Sequence, residues 1–307
     1  MIFVARGMIV SLAFFSLAYS FLSCLALLTW RGMRFFSRRP SVNLLFSLRV
    51  LPFVVSAAIT GLLAFPSFLL LEAHTMDEDL ATFALSVSAG LFLGAGFYQV
   101  MSAAARTRQV VAECLEGARA LWAKDATSLV TPRSVLPLML IGIRTPRVLI
   151  SETACEVLSE GELRAAVRHE VEHLRSRDNL KKVVLSFIPF PLMAELERAW
   201  QEAAELAADN RAVSSREDAL DLAAALIKLS RRFPPQAAPA FTTGLVSVTG
   251  SVAKRVECLL AWKENPVTAD NAWRYAVAGA FTAMVGLAAK LGPVLVLMHS
   301  LTERLVP

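Results

Sequence analysis

Cysteine is scarce in this sequence and unpaired. Cys24, Cys114, Cys155 and Cys258 are the only four in 307 residues, and no two of them form a CxxC pair. That argues against a disulfide framework and against a thiolate metal site. Histidine is as scarce, also at four residues. No internal repeat is visible, and the Pro/Ala-rich run from Pro234 to Ala240 is the nearest approach to low complexity, so solenoids and disordered tracts drop out. What the chain has in excess is apolar residues, 55% of the total with a mean hydropathy of +0.53. Such a composition belongs to a membrane protein.

Four stretches reach the roughly 20 apolar residues that a membrane-crossing helix needs: Met8–Trp30, Leu44–Leu71, Ala81–Ala105 and Tyr275–Leu301. Arg6 ahead of the first resembles a signal peptide, but the apolar run is too long and leads into a basic cluster instead of a small-residue cleavage site, so it stays as an anchor. Arg31, Arg34, Arg38 and Arg39 follow the first span, whereas Glu72, Asp77, Glu78 and Asp79 follow the second. The positive-inside rule puts the first loop in the cytoplasm and the second outside. Basic residues thus set topology beside apolar runs, and no nucleic-acid partner is implied. Three spans fill 1–105, a cytoplasmic domain 106–272, and a fourth span with a short external tail 273–307. The expected location is a bacterial inner membrane, multi-pass, with the lipid bilayer as a partner. Arg49 is expected to snorkel toward the interface, and Lys290 to face the helix bundle.

Within the cytoplasmic domain a helix is predicted near Gln109–Lys124. A short hairpin follows over Leu136–Ile150, broken by Gly142 and Thr145-Pro146, with Arg147-Val148-Leu149-Ile150 as its second strand. Ser159 and Glu162 form a capping-box pattern, which starts a helix near Glu160 and carries it to about Lys182. Further helices are predicted over Ala194–Val213 and Glu217–Arg231. The run Val183–Met193, broken by Pro189 and Pro191, is too short to span; it dips into the membrane surface or packs in the core. The fold class is therefore mainly α: multi-span membrane helices and a helical cytoplasmic domain with a small β-hairpin.

The chemistry sits on the helix that begins at Glu160. His169-Glu170-Val171-Glu172-His173 reads HExxH, and at about 100° per residue its two histidines lie some 40° apart, so both imidazoles can share one metal ion. Glu170 borders the same face and is placed to act as a general base toward a metal-activated water. No histidine follows in an HxxGxxH extension, so a carboxylate must supply a third ligand. Glu202, Glu205 and Asp209 lie on one face of the downstream helix and all qualify. Arg211 is near enough in sequence to be an oxyanion donor, although an ordinary surface arginine is the simpler reading.

His169-Glu170-x-x-His173 followed by Asp178-Asn179, then Glu205-Leu206-Ala207-Ala208-Asp209, resembles the HExxH and ExxxD pair of membrane gluzincins. The likeness is to the BlaR/MecR-type antirepressor peptidases and, more distantly, to the HtpX and CAAX-prenyl-protease group. Pro146–Ser151 and Leu158–Leu163 resemble the edge strand and helix start of the same pattern. The resemblance implies one zinc ion per chain bound by His169, His173 and Glu205, with Glu170 as the base and Asp209 holding a ligand histidine. Glu205 is preferred over Glu202 because it stands four residues before Asp209. The resemblance also implies that substrate pairs with an exposed strand Arg147, Val148, Leu149, Ile150. The implied function is a zinc metalloendopeptidase cleaving a cytoplasmic or membrane-proximal protein or peptide, with a repressor-like regulator as a candidate. Quality control of membrane proteins in the HtpX manner, or a non-catalytic zinc-containing signalling scaffold, are the alternatives. BlaR-type transducers carry an external sensor after their last span, and this sequence stops soon after Leu301; sensing is thus expected of a partner protein or a homo-oligomer.

Overall fold

The computed structural model describes residues 2–35, 40–71, 80–122, 125–132, 136–143, 145–233, 241–245, 251–263 and 291–305. In chain order the elements are helices α1 (Ile2–Phe35) and α2 (Val42–Ile59), a π turn (Thr60–Ala64), α3 (Phe65–Leu71) and α4 (Leu80–Leu115). Strands β1 (Arg119–Trp122), β2 (Asp125–Thr131), β3 (Leu138–Ile141) and β4 (Arg147–Ser151) follow. Then come α5 (Glu152–Val157), α6 (Glu160–Arg175), α7 (Asp178–Phe187), α8 (Ala194–Ala212), α9 (Arg216–Arg232), β5 (Thr243–Gly244), α10 (Val252–Leu260) and α11 (Leu291–Leu305). The fold is mainly helical. It forms two compact units, one of Met1–Phe97, Phe187–Leu196 and Ala269–Pro307, the other of Tyr98–Ser186 and Glu197–Thr268.

The first unit holds α1, α2, α3, α11 and the first half of α4. Val4–Phe35, Val42–Leu71 and Leu80–Leu115 are each long and apolar enough to cross a bilayer. Phe21, Leu28, Leu70 and Leu91 remain exposed on them, as residues facing lipid do. Most of the expected fourth span lies outside the described residues, as do Lys290, the acidic loop from Glu72 to Asp79, Arg38, Arg39 and the Pro234–Ala240 run; the end of that span falls in α11. Inside the unit, Phe15, Tyr19 and Ala89 pack with Phe53 and Phe190, and the Tyr19 and Phe190 rings meet edge-on with centroids 5.3 Å apart.

The segment after α7 belongs to this unit and needs special provision. Pro189 and Pro191 have no N–H and cannot continue a helix, so carbonyls are left open at a place where each must find a donor. The Tyr19 hydroxyl donates to the carbonyls of Ile188 and Pro189 at 3.3 and 3.2 Å. Arg49 does not snorkel as expected: it is 2% exposed and donates from Nη2 to the Ile188 carbonyl. Carbonyls at a helix C-terminus carry partial negative charge, and this holds the cation inside. Gly96 allows the approach, since a Cβ there would lie 2.0 Å from the Phe187 carbonyl oxygen.

The second unit is built on a five-stranded sheet of order β1-β2-β4-β3-β5. The predicted hairpin is present as the antiparallel pair β3 and β4, from Leu138↔Ile150 to Ile141↔Arg147, but it is embedded in a larger mixed sheet in which β2 runs parallel to β4. Side chains alternate between faces. Leu138, Leu140, Val148 and Ile150 pack against Ala165 and Ala166 of α6 and Leu222 and Leu226 of α9. Met139, Ile141 and Leu149 pack against Cys114 of α4. With both faces covered, β3 and β4 are apolar at every interior position, unlike a half-solvated strand.

Two predicted helices are corrected. The one over Gln109–Lys124 ends at Leu115, where Gly117 takes a positive φ of 76° and turns the chain into β1. The helix from Glu160 to Lys182 breaks after Arg175, and Arg177 adopts φ 55° before α7 starts at Asp178. At its N-terminus α6 carries the predicted capping box, Ser159 accepting from the Glu162 N–H and Glu162 accepting from the Ser159 N–H.

Candidate metal centre

His169 and His173 lie one turn apart on α6, and both are buried. Their Nε2 atoms face each other at 3.1 Å. From α8, Glu205 brings Oε2 to 3.5 Å from His169 Nε2 and Oε1 to 3.6 Å from His173 Nε2. All three side chains offer a donor atom within 4.8 Å of one another.

The outer nitrogen of each ring faces a carboxylate, His173 Nδ1 in a hydrogen bond and His169 Nδ1 at ion-pair distance. Asp209, one turn beyond Glu205, places Oδ1 2.9 Å from His169 Nδ1, and Asp178 places Oδ2 2.7 Å from His173 Nδ1. A carboxylate on Nδ1 keeps the proton there and leaves the lone pair on Nε2. Two such lone pairs pointed at each other repel unless a cation lies between them. A small divalent ion with tetrahedral bonds of about 2.1 Å sets its donors about 3.4 Å apart, close to the three separations observed. The residues therefore fit a metal ion. Beside them Glu170 is fully buried. Its Oε2 accepts from Thr243 Oγ1 at 3.2 Å, while Oε1 has no hydrogen-bond partner among the described residues.

Within this buried shell Glu170, Glu205, Asp209 and Asp178 outnumber the cations Arg255 and Lys182. Burial, the largest single influence on His173, favours its neutral form, but Glu205, Asp178 and Glu170 outweigh burial and push its pKa up to about 10. His169 is raised for the same reason, with Asp209 the chief opponent of burial. Burial raises the Asp209 carboxyl, yet Arg255 and His169 bring it down to about 2. Glu205 is held well below the usual carboxylate range, where Arg255 and the two histidines overcome burial. Burial lowers Lys182, although Glu205, Asp178 and Glu170 oppose it. Without a cation the histidines collect protons to offset the acid surplus; a divalent ion can take their place.

The structure brings together His169, Glu170, His173, Glu205 and Asp209. It does not bring in Glu202, whose half-exposed side chain reaches Lys254 at 3.5 Å. Nor does Arg211 reach the cluster: it bonds Glu172 at 3.3 Å and Ser176 at 2.7 Å. The expected substrate strand Arg147-Val148-Leu149-Ile150 is corrected, because β4 pairs with β2 on one side and β3 on the other. Its backbone groups are used within the sheet, so it has no free edge to offer.

Four participants carried no site signal in the sequence reading. Asp178 appeared only as part of the Asp-Asn pair after the motif. Lys182 donates to the Thr242 carbonyl, and Thr243 contacts Glu170 from β5. Arg255 on α10 is 3% exposed. It donates from Nε to Asp209 Oδ2 at 2.7 Å, from Nη2 to Asp209 Oδ1 at 2.6 Å and from Nη1 to the Leu245 carbonyl at 2.7 Å. Its Nη1 also lies 2.9 Å from Glu205 Oε2. A cavity of about 360 Å³ opens against His173 and Asp178, lined in part by Leu140, Ile143, Leu174 and Leu180.

A buried donor set of this kind, in a chain that carries apolar spans, marks a membrane metallopeptidase. The family model for BlaR1 peptidase M56 matches residues 82–259, more than half of the 307, and the chain belongs to that family. No curated protein matches it.

Proposed function

We propose that the protein is a zinc-dependent endopeptidase of the HExxH gluzincin type, set in a bacterial inner membrane with its catalytic domain toward the cytoplasm. His169, His173 and Glu205 hold one zinc ion, Asp209 orients His169, and Glu170 is the general base. The observation that carries this reading is the Glu170 carboxylate, buried beside the donor cluster with Oε1 unpartnered among the described residues. A buried carboxylate oxygen without a hydrogen-bond partner is costly, and a metal-binding scaffold has no need of one there.

Bound zinc supplies Lewis acidity, which acidifies water and polarises a carbonyl. Glu170 Oε1 takes a proton from the attacking water as its oxygen bonds to the peptide carbonyl carbon. The same carboxyl then returns that proton to the departing amine nitrogen as the C–N bond breaks. Thr243 holds the other oxygen of Glu170 and so fixes the orientation of the carboxyl. The substrate is a cytoplasmic or membrane-proximal protein, with a repressor-like regulator as the candidate, and the cavity against His173 can seat one of its apolar side chains. Arg31 and Arg34 at the end of α1 support the orientation.

The test is Glu170→Gln in the full-length protein, with cleavage of an unfolded protein and zinc content measured together. Zinc is expected to stay at one per chain while cleavage falls by about 100-fold or more. Cleavage at the wild-type rate would remove Glu170 from the mechanism, and a preparation loaded with zinc that cuts nothing would remove the peptidase reading.

A further inference from the structure

We infer that Arg255 is a positioning residue of the metal centre: it locks Glu205 as the third ligand and holds Asp209 against His169, which makes α10 a structural part of the site. The inference rests on the metal-binding reading above and concerns a residue outside both sequence motifs.

A guanidinium carries five N–H donors in a planar fork. Nε and Nη2 form the bidentate pair with Asp209, at 2.7 and 2.6 Å. Nη1 meets the Leu245 carbonyl at 2.7 Å and Glu205 Oε2 at 2.9 Å. Nη2 also lies 3.4 Å from His169 Nε2, beyond ordinary hydrogen-bond length, and yields that lone pair to a bound ion. Three of its N–H groups bond Asp209 and the Leu245 carbonyl, and Nη1 also forms an ion pair with Glu205 Oε2. One planar group touches two of the buried acids, Asp209 and Glu205, and fixes the distance between them.

Its position also decides which carboxylate serves as the ligand. Glu202 and Glu205 differ by one turn of the same helix, but Glu202 is ion-paired with Lys254, the residue just before Arg255. Arg255 meets the inner glutamate in the interior, whereas the exposed pair of Lys254 with the outer one contributes little. Arg255 further offsets the charge of Glu205 and Asp209. Glu205 is therefore a weaker electron donor to the ion, which leaves the ion a stronger Lewis acid than an unpaired carboxylate would.

The test uses the full-length protein in detergent, stripped by a chelator and titrated with Zn2+ for affinity and Co2+ for its visible spectrum. Arg255→Lys keeps the charge but loses the planar fork, and Arg255→Met loses both. Metal affinity is expected to fall about 10-fold in Arg255→Lys and about 100-fold in Arg255→Met, the range seen when groups that orient metal ligands are removed, with an altered Co2+ spectrum in each. Combining Arg255→Met with Glu205→Gln is expected to cost less affinity than the two single losses together. Wild-type affinity and an unchanged spectrum in folded Arg255→Lys would overturn the inference, as would strict additivity of the double variant. If Arg255→Met does not fold, Arg255→Lys and its cycle with Glu205→Gln decide the matter. None of these readouts uses cleavage, so the inference can fail while Glu170-dependent peptidase activity stands, and the reverse.

Discussion

Arg49 in the membrane unit and Arg255 in the second unit are both sealed from solvent, at 2% and 3% exposure, but their charges are met differently. Arg49 donates to the Ile188 carbonyl, at a point where two prolines leave backbone oxygens without donors. Arg255 is clamped between full carboxylate charges on Asp209 and Glu205. In the first region a cation satisfies dipoles that lipid cannot hydrate. In the second it balances acids that are kept ionised for a metal. Neutral backbone dipoles face the cation in the first region and carboxylates face it in the second, so a chelator should act on the metal centre and leave the Ile188 contact unchanged.

The largest expected contrast comes from removing each arginine. Arg255→Met leaves two buried carboxylates without their counter-ion and should cost about 3–5 kcal/mol of stability. Arg49→Met removes one donor to the Ile188 carbonyl while the Tyr19 hydroxyl still serves it, which costs about 1.5 kcal/mol. Denaturant unfolding of each variant in detergent checks the order, and an equal loss from both would erase the distinction.

Metal removal sharpens it. In the stripped protein the His173 pKa lies at about 10, above its ordinary 6.5. A raised pKa in the folded state means stability that is fully present below pH 6.5 and is lost as pH rises through about 10. The melting temperature of the chelator-treated protein should fall across that window, and that of the metal-loaded protein should not.

A smaller effect is expected at Tyr19, where Tyr19→Phe removes the hydroxyl that serves Ile188 and Pro189 at a cost of about 1 kcal/mol, independent of metal. The smallest is at the start of α9. Asp218 bonds Arg168 and the Ser214 N–H and hydroxyl. Burial opposes the shift, but Arg168 and Ser214 bring its pKa from 3.8 to about 2. A lowered pKa contributes stability above pH 3.8 that disappears as pH falls to about 2. Asp218→Asn should therefore flatten the acid limb of the stability profile and cost about 1 kcal/mol or less at neutral pH.

Sequence legibility followed range. HExxH could be placed on a helix face because its geometry depends on four consecutive peptide units, and the capping box at Ser159 and Glu162 is equally local. The break at Arg177 was not legible, since no glycine or proline marks it, yet it turns Asp178 back onto His173. The strand Arg147–Ile150 looked like an edge because it reads as half of a hairpin. The parallel partner β2 that closes its other side comes from a segment with no clear strand pattern.

By itself the sequence determined the apolar spans, the helix carrying His169, Glu170 and His173, and a short set of acidic candidates one or two turns apart on a second helix. All of these follow from residue spacing within one element, where helical periodicity does the positioning. Only the tertiary structure decided that Glu205 faces inward and Glu202 outward, that Asp178 and Asp209 each hold one imidazole, and that Arg255 belongs to the centre. Those choices depend on packing between elements far apart in the chain, such as the 46 residues from Asp209 to Arg255. Burial then selects which charges must be paired, and no spacing rule within a single element carries that information.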